Sequence, residues 1–276
     1  MGGGNKSRKA VAYETFLPSE GYNAVVTCGG THSNHNRAIA LMAMANGWKC
    51  HLVYHGDRKK FLKGKGNAGL VMMSGAEIEF VEVDGISAAM DAAMTKYERQ
   101  GLKPFYIHGG GHDLPGGTAF VDAVKELKRQ CDETGYKPDY IFHATGTGST
   151  QAGIAVGLDI AGWKDVKLIG ISVARNEERG RKIVAEFANM LAMHYSIDKD
   201  YNSSIIFDDS YVGTGYDKSN YELKNFVSQV YKNTGLMVDT TYSGKALYGM
   251  MDYIKKNKLK GNFLFWMTGG PLNAIQ

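Results

Sequence analysis

Short apolar runs alternate with longer helix-period segments along most of this chain, and this alternation constrains the fold more than any other feature. The apolar runs predict eight strands: Ala24 to Cys28, Cys50 to Tyr54, Ile78 to Val83, Phe105 to His108, Tyr140 to Ala144, Leu168 to Val173, Ile205 to Phe207 and Phe263 to Met267. The other segments predict helices: Asn34 to Asn46, Ser87 to Gln100, Thr118 to Glu133, Gln151 to Ile160, Glu177 to His194 and Asn220 to Asn233. Strands that alternate with helices usually pair in parallel, so the pattern predicts an α/β protein with helix-covered parallel sheets.

The charge and the apolar pattern argue against two classes of partner. The formal net charge of +4 is small for 276 residues, and the densest basic run, residues 58–65, is broken by glycine and has little aromatic content. A solvated loop explains this run better than a nucleic-acid patch does. No apolar run reaches the length of a membrane span. From the charge pattern and the apolar pattern together, we expect neither nucleic acid nor a membrane as partner.

Cysteine content indicates the redox setting. Cys28, Cys50 and Cys131 form an odd set without a CxxC spacing. This argues against a disulfide framework and favours a reducing, cytoplasmic setting.

Two glycine-rich stretches far apart in the sequence share a chemical theme. Residues 2–9 (GGGNKSRK) set Lys6 among small and polar residues, and residues 145–150 (TGTGST) form a turn between a predicted strand and a predicted helix. A lysine amine can hold an aldehyde as an imine, and a helix start preceded by glycines offers converging N–H groups to a phosphate. Neither stretch is sufficient alone, but together they point to pyridoxal 5'-phosphate (PLP) as cofactor.

Both stretches differ from the familiar nucleotide loops. In the turn, Gln151 stands where a dinucleotide GxGxxG motif has its third glycine, and no Lys-Ser or Lys-Thr pair closes a Walker loop there. Lys6 and Ser7 form such a pair, but no strand precedes them in this chain. Nucleotide binding is therefore disfavoured.

The stretch from Thr27 to Arg37 runs from an apolar strand through two glycines into a helix. Ser33 can cap that helix, and the unpaired N–H groups and positive dipole at the helix start can hold a substrate carboxylate. A plain turn with a serine cap explains the same residues, and taken alone it is the favoured interpretation.

Hydroxyl groups cluster near the C-terminus, in residues 242–245 (YSGK) and in Thr268, which follows the last predicted strand. A neutral hydroxyl that faces a pyridine nitrogen leaves the ring largely unprotonated, which suits β-elimination more than transamination. Tyr242 can equally be a half-buried aromatic residue with a satisfied hydroxyl.

Four histidines raise the question of zinc: His32, His35, His108 and His112. No HExxH motif, paired cysteines or nearby carboxylate pattern accompanies them. We therefore expect no metal site.

With these motifs in this order, the chain resembles the family of D-cysteine desulfhydrases and 1-aminocyclopropane-1-carboxylate deaminases over nearly its whole length. The resemblance implies PLP-dependent fold type II: an α/β fold of two open, twisted, mostly parallel sheets with helices on both faces. We expect a large PLP-binding domain formed by residues 1–10 and 118–276 and a small domain formed by residues 11–117. The resemblance also implies a homodimer.

The family motifs imply catalytic roles for four residues. Lys6 matches the cofactor-binding lysine, which also removes the α-proton after substrate has displaced it. Ser33 matches the serine of the carboxylate loop, and Tyr216 and Tyr242 match two tyrosines that flank the substrate.

Further residues match family positions that contact the cofactor. Asn34 follows the carboxylate-loop serine, Ser243 matches the partner of the pyridine nitrogen, and Thr268 lies in the last turn. The matching phosphate loop consists of Thr145, Gly146, Thr147, Gly148, Ser149 and Thr150.

Two of these positions distinguish branches of the family. Cyclopropane-opening members tend to carry glutamate at the place of Ser243 and leucine at that of Thr268, whereas desulfhydrase-like members carry small hydroxyl residues. We therefore expect α,β-elimination from a small β-substituted amino acid such as D-cysteine, which releases pyruvate, ammonia and the leaving group. The alternatives are a 1-aminocyclopropane-1-carboxylate deaminase, a β-replacement synthase and a PLP-binding protein without turnover.

The chain departs from the family pattern in two places. His32 replaces a glutamine beside the carboxylate loop, which leaves the substrate and its handedness open. Family members also carry a few dozen residues before the lysine motif, whereas this chain begins almost at Lys6. The expectation is either a fragment or a protein that lacks an element beside the site.

Overall fold

The computed structural model of the protein describes residues 3–274 in two compact units, residues 3–116 and residues 117–274. Gly2 of the lysine motif and the outermost residues of the predicted domain ranges, 1–2 and 275–276, lie outside the described residues. The predicted domains group residues 1–10 with 118–276, and that assignment stays a prediction.

The first unit contains a four-stranded parallel sheet of order β3-β2-β1-β4. Its strands are β1 (Ala24–Gly30), β2 (Lys49–His55), β3 (Glu77–Phe80) and β4 (Pro104–Ile107). Its helices are α1 (Gly4–Ser19), α2 (Asn34–Ala45), α3 (Arg58–Leu62), α4 (Asn67–Met73) and α5 (Ile86–Arg99), with a 3-10 turn at Val83–Gly85. In the register of the sheet, Ala24 lies opposite both Lys49 and Pro104.

Successive residues of β1 point to opposite faces of this sheet, and each face is covered by helices. Val25 is fully buried in a cluster with Leu17 of α1 and Ile39 of α2. Val26 is fully buried in a second cluster with Met90 of α5. Burial on both faces explains why β1 is a continuous apolar run in the sequence.

The second unit repeats this architecture with a parallel sheet of order β7-β6-β5-β8. Its strands are β5 (Tyr140–Thr145), β6 (Lys167–Ser172), β7 (Ile206–Asp208) and β8 (Phe263–Trp266). Its helices are α6 (Leu114–Thr134), α7 (Ser149–Ile160), α8 (Glu177–His194), α9 (Tyr221–Thr234), α10 (Ser243–Lys256) and α11 (Pro271–Ala274).

Glycine permits close helix packing in this unit. A Cβ at Gly153 of α7 would lie 2.5 Å from the carbonyl oxygen of Gly117 and 2.6 Å from Cβ of Phe120, both in α6. The backbones of α6 and α7 therefore approach more closely than a side chain at Gly153 would allow.

The predicted α/β class with parallel sheets is confirmed. All eight predicted strands are present, with ends that differ by a few residues. β3 ends at Phe80, three residues earlier than predicted, because residues 83–85 form the 3-10 turn. In the part of the chain that the structure describes, no helix combines the length and apolar character needed to cross a membrane.

Candidate active site

Lys6 lies in the first turn of α1, after two glycines with left-handed backbone conformations. Gly3 and Gly4 have φ angles of 68° and 80°. Residues with a Cβ rarely adopt such positive φ angles, which explains the glycines at both positions. The Lys6 Nζ donates a 2.9 Å hydrogen bond to the carbonyl oxygen of Gly110. Burial lowers the pKa of Lys6 to about 8, so its uncharged amine is far more abundant near neutral pH than that of an exposed lysine.

A second buried amine lies one helical turn further along, and the sequence reasoning missed it. Lys9 is fully buried, and its Nζ donates hydrogen bonds of 3.0 Å to the carbonyl oxygens of both Gly110 and Gly111. The available signal was the spacing, because residues three apart share one face of a helix. Lys6 and Lys9 therefore both reach the segment after β4.

A carboxylate completes this group. Asp113 accepts hydrogen bonds from the Tyr13 hydroxyl and, at 3.1 Å, from the N–H of Gly116. Burial raises the pKa of Asp113, while these hydrogen bonds and the charge of Lys9 oppose the rise. The segment of residues 108–113, which follows β4, thus binds α1 through the carbonyl oxygens of Gly110 and Gly111 and the carboxylate of Asp113.

The loop between β1 and α2 contains Ser33 and Asn34. Ser33 is the N-cap of α2 and accepts a 3.0 Å hydrogen bond from the N–H of Asn36. A Cβ at Gly29 would lie 2.6 Å from Ser33 Oγ, so glycine is required there. The Asn34 Oδ1 accepts a 3.0 Å hydrogen bond from Asn67 Nδ2, which fixes the start of the helix.

His35, in the first turn of α2, is held in one tautomer. The Thr27 hydroxyl donates its hydrogen to the carbonyl oxygen of Ile107 at 2.8 Å, so in its 2.9 Å bond with His35 Nε2 it must accept. Nδ1 then carries a lone pair, is buried, and has no hydrogen-bond partner among the described residues. Burial and the charges of Lys6 and Lys9 lower the pKa of His35, so the imidazole is neutral and lies close to both amines.

In the second unit, β5 ends at Thr145 and α7 begins at Ser149. Gly148, at the N-cap of α7, has a φ of 98°, and no side chain caps this helix start among the described residues. Four buried residues surround the turn: Thr145, Ser149, Thr150 and Gln151. The buried Thr145 Oγ1 has no hydrogen-bond partner among the described residues.

These features fit a phosphate. The first N–H groups of a helix have no partner within the helix, and the helix dipole favours an anion there. A buried hydroxyl without a partner supplies one more donor. Arg175 donates to the carbonyl oxygen of Gly146, which adds a cation beside the turn.

The structure brings Tyr216 and Tyr242 together, as their hydroxyl oxygens are hydrogen-bonded to each other. Burial raises the pKa of both phenols, so both are protonated near neutral pH. Lys245 holds the segment before Tyr216, since its Nζ donates hydrogen bonds of 2.8 and 3.0 Å to the carbonyl oxygens of Val212 and Gly215.

Ser243 pairs with an acid that the sequence reasoning also missed. The Ser243 Oγ donates a 2.7 Å hydrogen bond to Asp239 Oδ1 and accepts a 3.0 Å hydrogen bond from the N–H of Asp239. A Cβ at Gly270 would lie 2.6 Å from the same carboxylate oxygen. Asp239 therefore links Ser243 to the turn that contains the buried Thr268.

The predicted residues thus fall in both units. Lys6, Ser33 and Asn34 belong to the first, and the predicted residues from Thr145 onward belong to the second. Within residues 3–274, no group of three or more histidine, cysteine, aspartate or glutamate side chains is arranged to hold a metal ion.

Comparison with known proteins gives a family match over most of the chain. The family model described as "Pyridoxal-phosphate dependent enzyme" matches residues 1–269. The chain is 31% identical to a 1-aminocyclopropane-1-carboxylate deaminase of Ralstonia nicotianae, over 99% of this chain and 83% of the relative. It is 30% identical to a D-cysteine desulfhydrase of Klebsiella pneumoniae, over 97% of this chain and 82% of the relative.

A solved structure shows the same fold. The crystal structure of an ACC deaminase homologue superposes with a TM-score of 0.88 at 29% identity, and the match covers 99% of this chain and 82% of that chain.

Proposed function

The chain belongs to the family of pyridoxal-phosphate dependent enzymes, and from this premise we propose that it eliminates the β-substituent of a small, D-cysteine-like amino acid. Its fold is fold type II, as the family resemblance implied. The products would be pyruvate, ammonia and the leaving group, which is sulfide when the substrate is cysteine. The observation that carries the proposal is the Lys6 amine, which donates a hydrogen bond to the Gly110 carbonyl and has a lowered pKa, in a chain that the family model matches over residues 1–269.

PLP supplies an aldehyde that a lysine amine can hold and a ring that takes up the electrons left behind when the α-proton departs. Lys6 is our candidate for both the holding amine and the base, because a base of pKa near the working pH transfers protons most effectively. The turn of residues 145–150 would bind the phosphate through its N–H groups and the Thr145 hydroxyl. Asn34 would contact the cofactor from the start of α2.

The substrate would be held by the chain's own hydroxyl and N–H groups. Ser33 and the N–H groups at the start of α2 would bind its carboxylate. Tyr216 and Tyr242 would orient it, and the phenol that accepts in the bond between them would have its own hydrogen free to protonate the leaving group.

Ser243 and Thr268 would lie at the pyridine nitrogen. Because the Ser243 hydroxyl donates to Asp239, its remaining lone pair would accept a hydrogen bond there and favour a protonated nitrogen. The expectation from sequence was that a neutral hydroxyl leaves the ring largely unprotonated, and it did not include the Asp239 carboxylate behind Ser243.

The hydroxyls at Ser243 and Thr268 favour the desulfhydrase branch, whereas two of the similar proteins are named for the cyclopropane substrate. A 1-aminocyclopropane-1-carboxylate deaminase is therefore the second candidate. We also propose a cytoplasmic homodimer, supported by three free cysteines and by the family resemblance.

Absorbance spectroscopy tests the lysine assignment. The purified full chain with PLP should show the visible band of lysine-bound cofactor, and Lys6→Ala should lose it. Lys63→Ala is the matched control, because Lys63 is an exposed lysine of the same unit and its loss should leave the band intact. A band that persists in Lys6→Ala rejects Lys6 as the cofactor lysine.

Pyruvate release tests the reaction. D-cysteine, L-cysteine, D-serine, β-chloroalanine and 1-aminocyclopropane-1-carboxylate form the panel, and we expect D-cysteine or β-chloroalanine to give the highest kcat/KM. A thioether product with added thiol would indicate β-replacement. A visible band without any product would indicate a PLP-binding protein that does not turn over.

A further inference from the structure

The segment between β7 and α9 carries Tyr216 and has an irregular backbone. Residues 209–220 contain neither helix nor strand, and three of them have positive φ angles: Gly213 (67°), Gly215 (134°) and Asp217 (57°). A Cβ at either glycine would have no atom within 4 Å beyond its chain neighbours. Close packing therefore does not fix this backbone, and polar contacts have to restrain it.

A cavity of about 220 Å³ lies beside the same segment. Thr214 and Lys218 of the segment line the cavity, together with Leu223 of α9 and Tyr248 of α10. Because protein interiors are normally close-packed, space of this size leaves the segment room to shift unless hydrogen bonds hold it.

Lys245 of α10 supplies two such hydrogen bonds. Its Nζ donates to the carbonyl oxygen of Val212 at 2.8 Å and to that of Gly215 at 3.0 Å. Lys245 is buried, with 2% of its surface exposed, and hydrogen bonds from a charged donor are stronger than those between neutral groups. One buried side chain thus joins both ends of the turn that directly precedes Tyr216.

Contacts on either side of Tyr216 lead to residues on either side of Tyr242. The residue before Tyr216 is held by Lys245, which lies three positions after Tyr242. The residue after Tyr216 is Asp217, which accepts a 2.7 Å hydrogen bond from the hydroxyl of Thr241, just before Tyr242. Together these contacts align the two tyrosines, whose hydroxyls are hydrogen-bonded to each other.

The charged groups around Lys245 favour its ammonium form. Burial lowers the pKa of Lys245, and the charges of Asp217 and Asp239 oppose that effect. Lys218 and Glu222 line the same cavity as Lys245. The two carboxylates therefore help the buried amine to keep its proton and to act as a charged donor.

We propose that Lys245 is a positioning residue, which ties the segment that carries Tyr216 to the start of α10 and so keeps the Tyr216 phenol against that of Tyr242. Lys245 acts through the tyrosines and not on the substrate. The inference rests on the proposed function, in which both tyrosines orient the substrate, but the order of the segment can be measured without any turnover.

Hydrogen exchange of residues 209–220 in the purified full chain, followed by peptide mass spectrometry, measures how firmly the segment is held. Lys245→Met removes both hydrogen bonds and keeps an unbranched side chain of similar length. Exchange in the segment should become faster by about 10- to 100-fold. Lys255→Met is the matched control, because Lys255 is an exposed lysine of the same helix, and its exchange should equal that of the wild type.

A second variant covers the case in which Lys245→Met folds poorly. Lys245→Gln keeps N–H donors on a side chain that is shorter by one atom. The exchange rate of residues 209–220 in this variant should lie between those of the wild type and Lys245→Met.

Kinetics shows whether Lys245 acts through the tyrosines. Lys245→Met should lower kcat for pyruvate release by about 10-fold or more, while the absorbance of lysine-bound PLP stays unchanged. Tyr216→Phe should lower kcat as well. The double variant should be no slower than the slower single variant, because residues that act as a unit have non-additive effects.

Two results would overturn the proposal. Exchange at the wild-type rate in both Lys245→Met and Lys245→Gln would mean that these hydrogen bonds do not hold the segment. Effects on kcat that multiply in the double variant would mean that Lys245 acts independently of Tyr216. Faster exchange confined to residues 209–220, with effects that do not multiply, supports the proposal. Failure of the proposed function would instead appear as no pyruvate release from the wild type, and the exchange rates would then decide on Lys245 by themselves.

Discussion

Gly116→Ala should disrupt the segment that holds the lysine helix. Its new Cβ would lie 2.3 Å from the carbonyl oxygen of Gly111 and 3.0 Å from the Tyr13 hydroxyl oxygen. An ordinary contact to a carbonyl oxygen is about 3.4 Å, so the Gly111 carbonyl has to move by roughly 1 Å. This oxygen is an acceptor for Lys9 Nζ, and the shift weakens that buried hydrogen bond.

The magnitude follows from three contributions. Overpacking costs about 1–3 kcal/mol, and a weakened buried hydrogen bond costs about 0.5–1.5 kcal/mol. The better helix propensity of alanine offsets up to about 1 kcal/mol, because Gly116 lies in α6. We expect a net loss of about 1–4 kcal/mol of unfolding free energy, which corresponds to a fall in Tm of about 3–15 °C.

Thermal unfolding followed by circular dichroism measures this loss, and hydrogen exchange of α1 localises it to the first unit. Gly69→Ala in α4 is the matched control, because the nearest atom to its Cβ would be the Gly64 carbonyl oxygen at an ordinary 3.8 Å. This variant should gain about 0.5–1 kcal/mol. If Gly116→Ala unfolds at the wild-type temperature while Gly69→Ala behaves as expected, the contact between α6 and the Gly111 carbonyl is refuted.

Three further predictions concern the second unit. Thr145→Val keeps the side-chain shape and removes a buried hydroxyl that has no hydrogen-bond partner within residues 3–274. The Kd for PLP, measured by equilibrium dialysis, should rise about 5- to 30-fold, because one hydrogen bond to an anion contributes about 1–2 kcal/mol; an unchanged Kd would exclude a contact between Thr145 and the phosphate. Tyr242→Phe removes the hydrogen bond between the hydroxyls of Tyr242 and Tyr216. The rate of pyruvate release should fall about 100-fold or more, while the absorbance of lysine-bound PLP stays unchanged. An equal loss of activity and absorbance would point to a structural role for Tyr242. Burial lowers the pKa of His143 from 6.5 to about 4, so between these pH values the unfolded chain binds more protons than the folded one and stability falls as the pH falls. In His143→Leu, the loss of unfolding free energy between pH 6.5 and pH 4, measured by urea unfolding, should be smaller by up to about 3 kcal/mol. A loss as large as that of the wild type would assign the effect to other groups.

The order of strands and helices could be predicted because it is encoded in local periodicity. β1 and β5 are buried on both faces and therefore appear as short apolar runs, and the alternation of such runs with helical segments predicts strands of a parallel sheet. The end of β3 was predicted poorly, since a 3-10 turn continues the same apolar residues. No helix was predicted for the region of α1, which has glycines at its start and Pro18 near its end, residues that disfavour helix interiors.

The candidate site also has a part that could be predicted from the sequence and a part that could not. Its motifs, the lysine among glycines and the turn of residues 145–150, are short stretches whose chemistry follows from neighbouring residues. The partners of those motifs come from distant sequence. Lys9 meets the Gly110 and Gly111 carbonyls about a hundred positions away, and Lys245 meets Val212 across 33 positions.

By itself, the sequence determined the fold class, the cofactor family and the residues that carry the motifs, since periodicity and spacing are local properties. Only the tertiary structure decided how protons are distributed among those residues. Burial lowers the pKa of Lys6, the bond from Thr27 to Ile107 fixes the His35 tautomer, and Asp239 accepts the hydrogen of Ser243. Protonation depends on desolvation and on charges brought together by folding, and neither is encoded in a single stretch of chain.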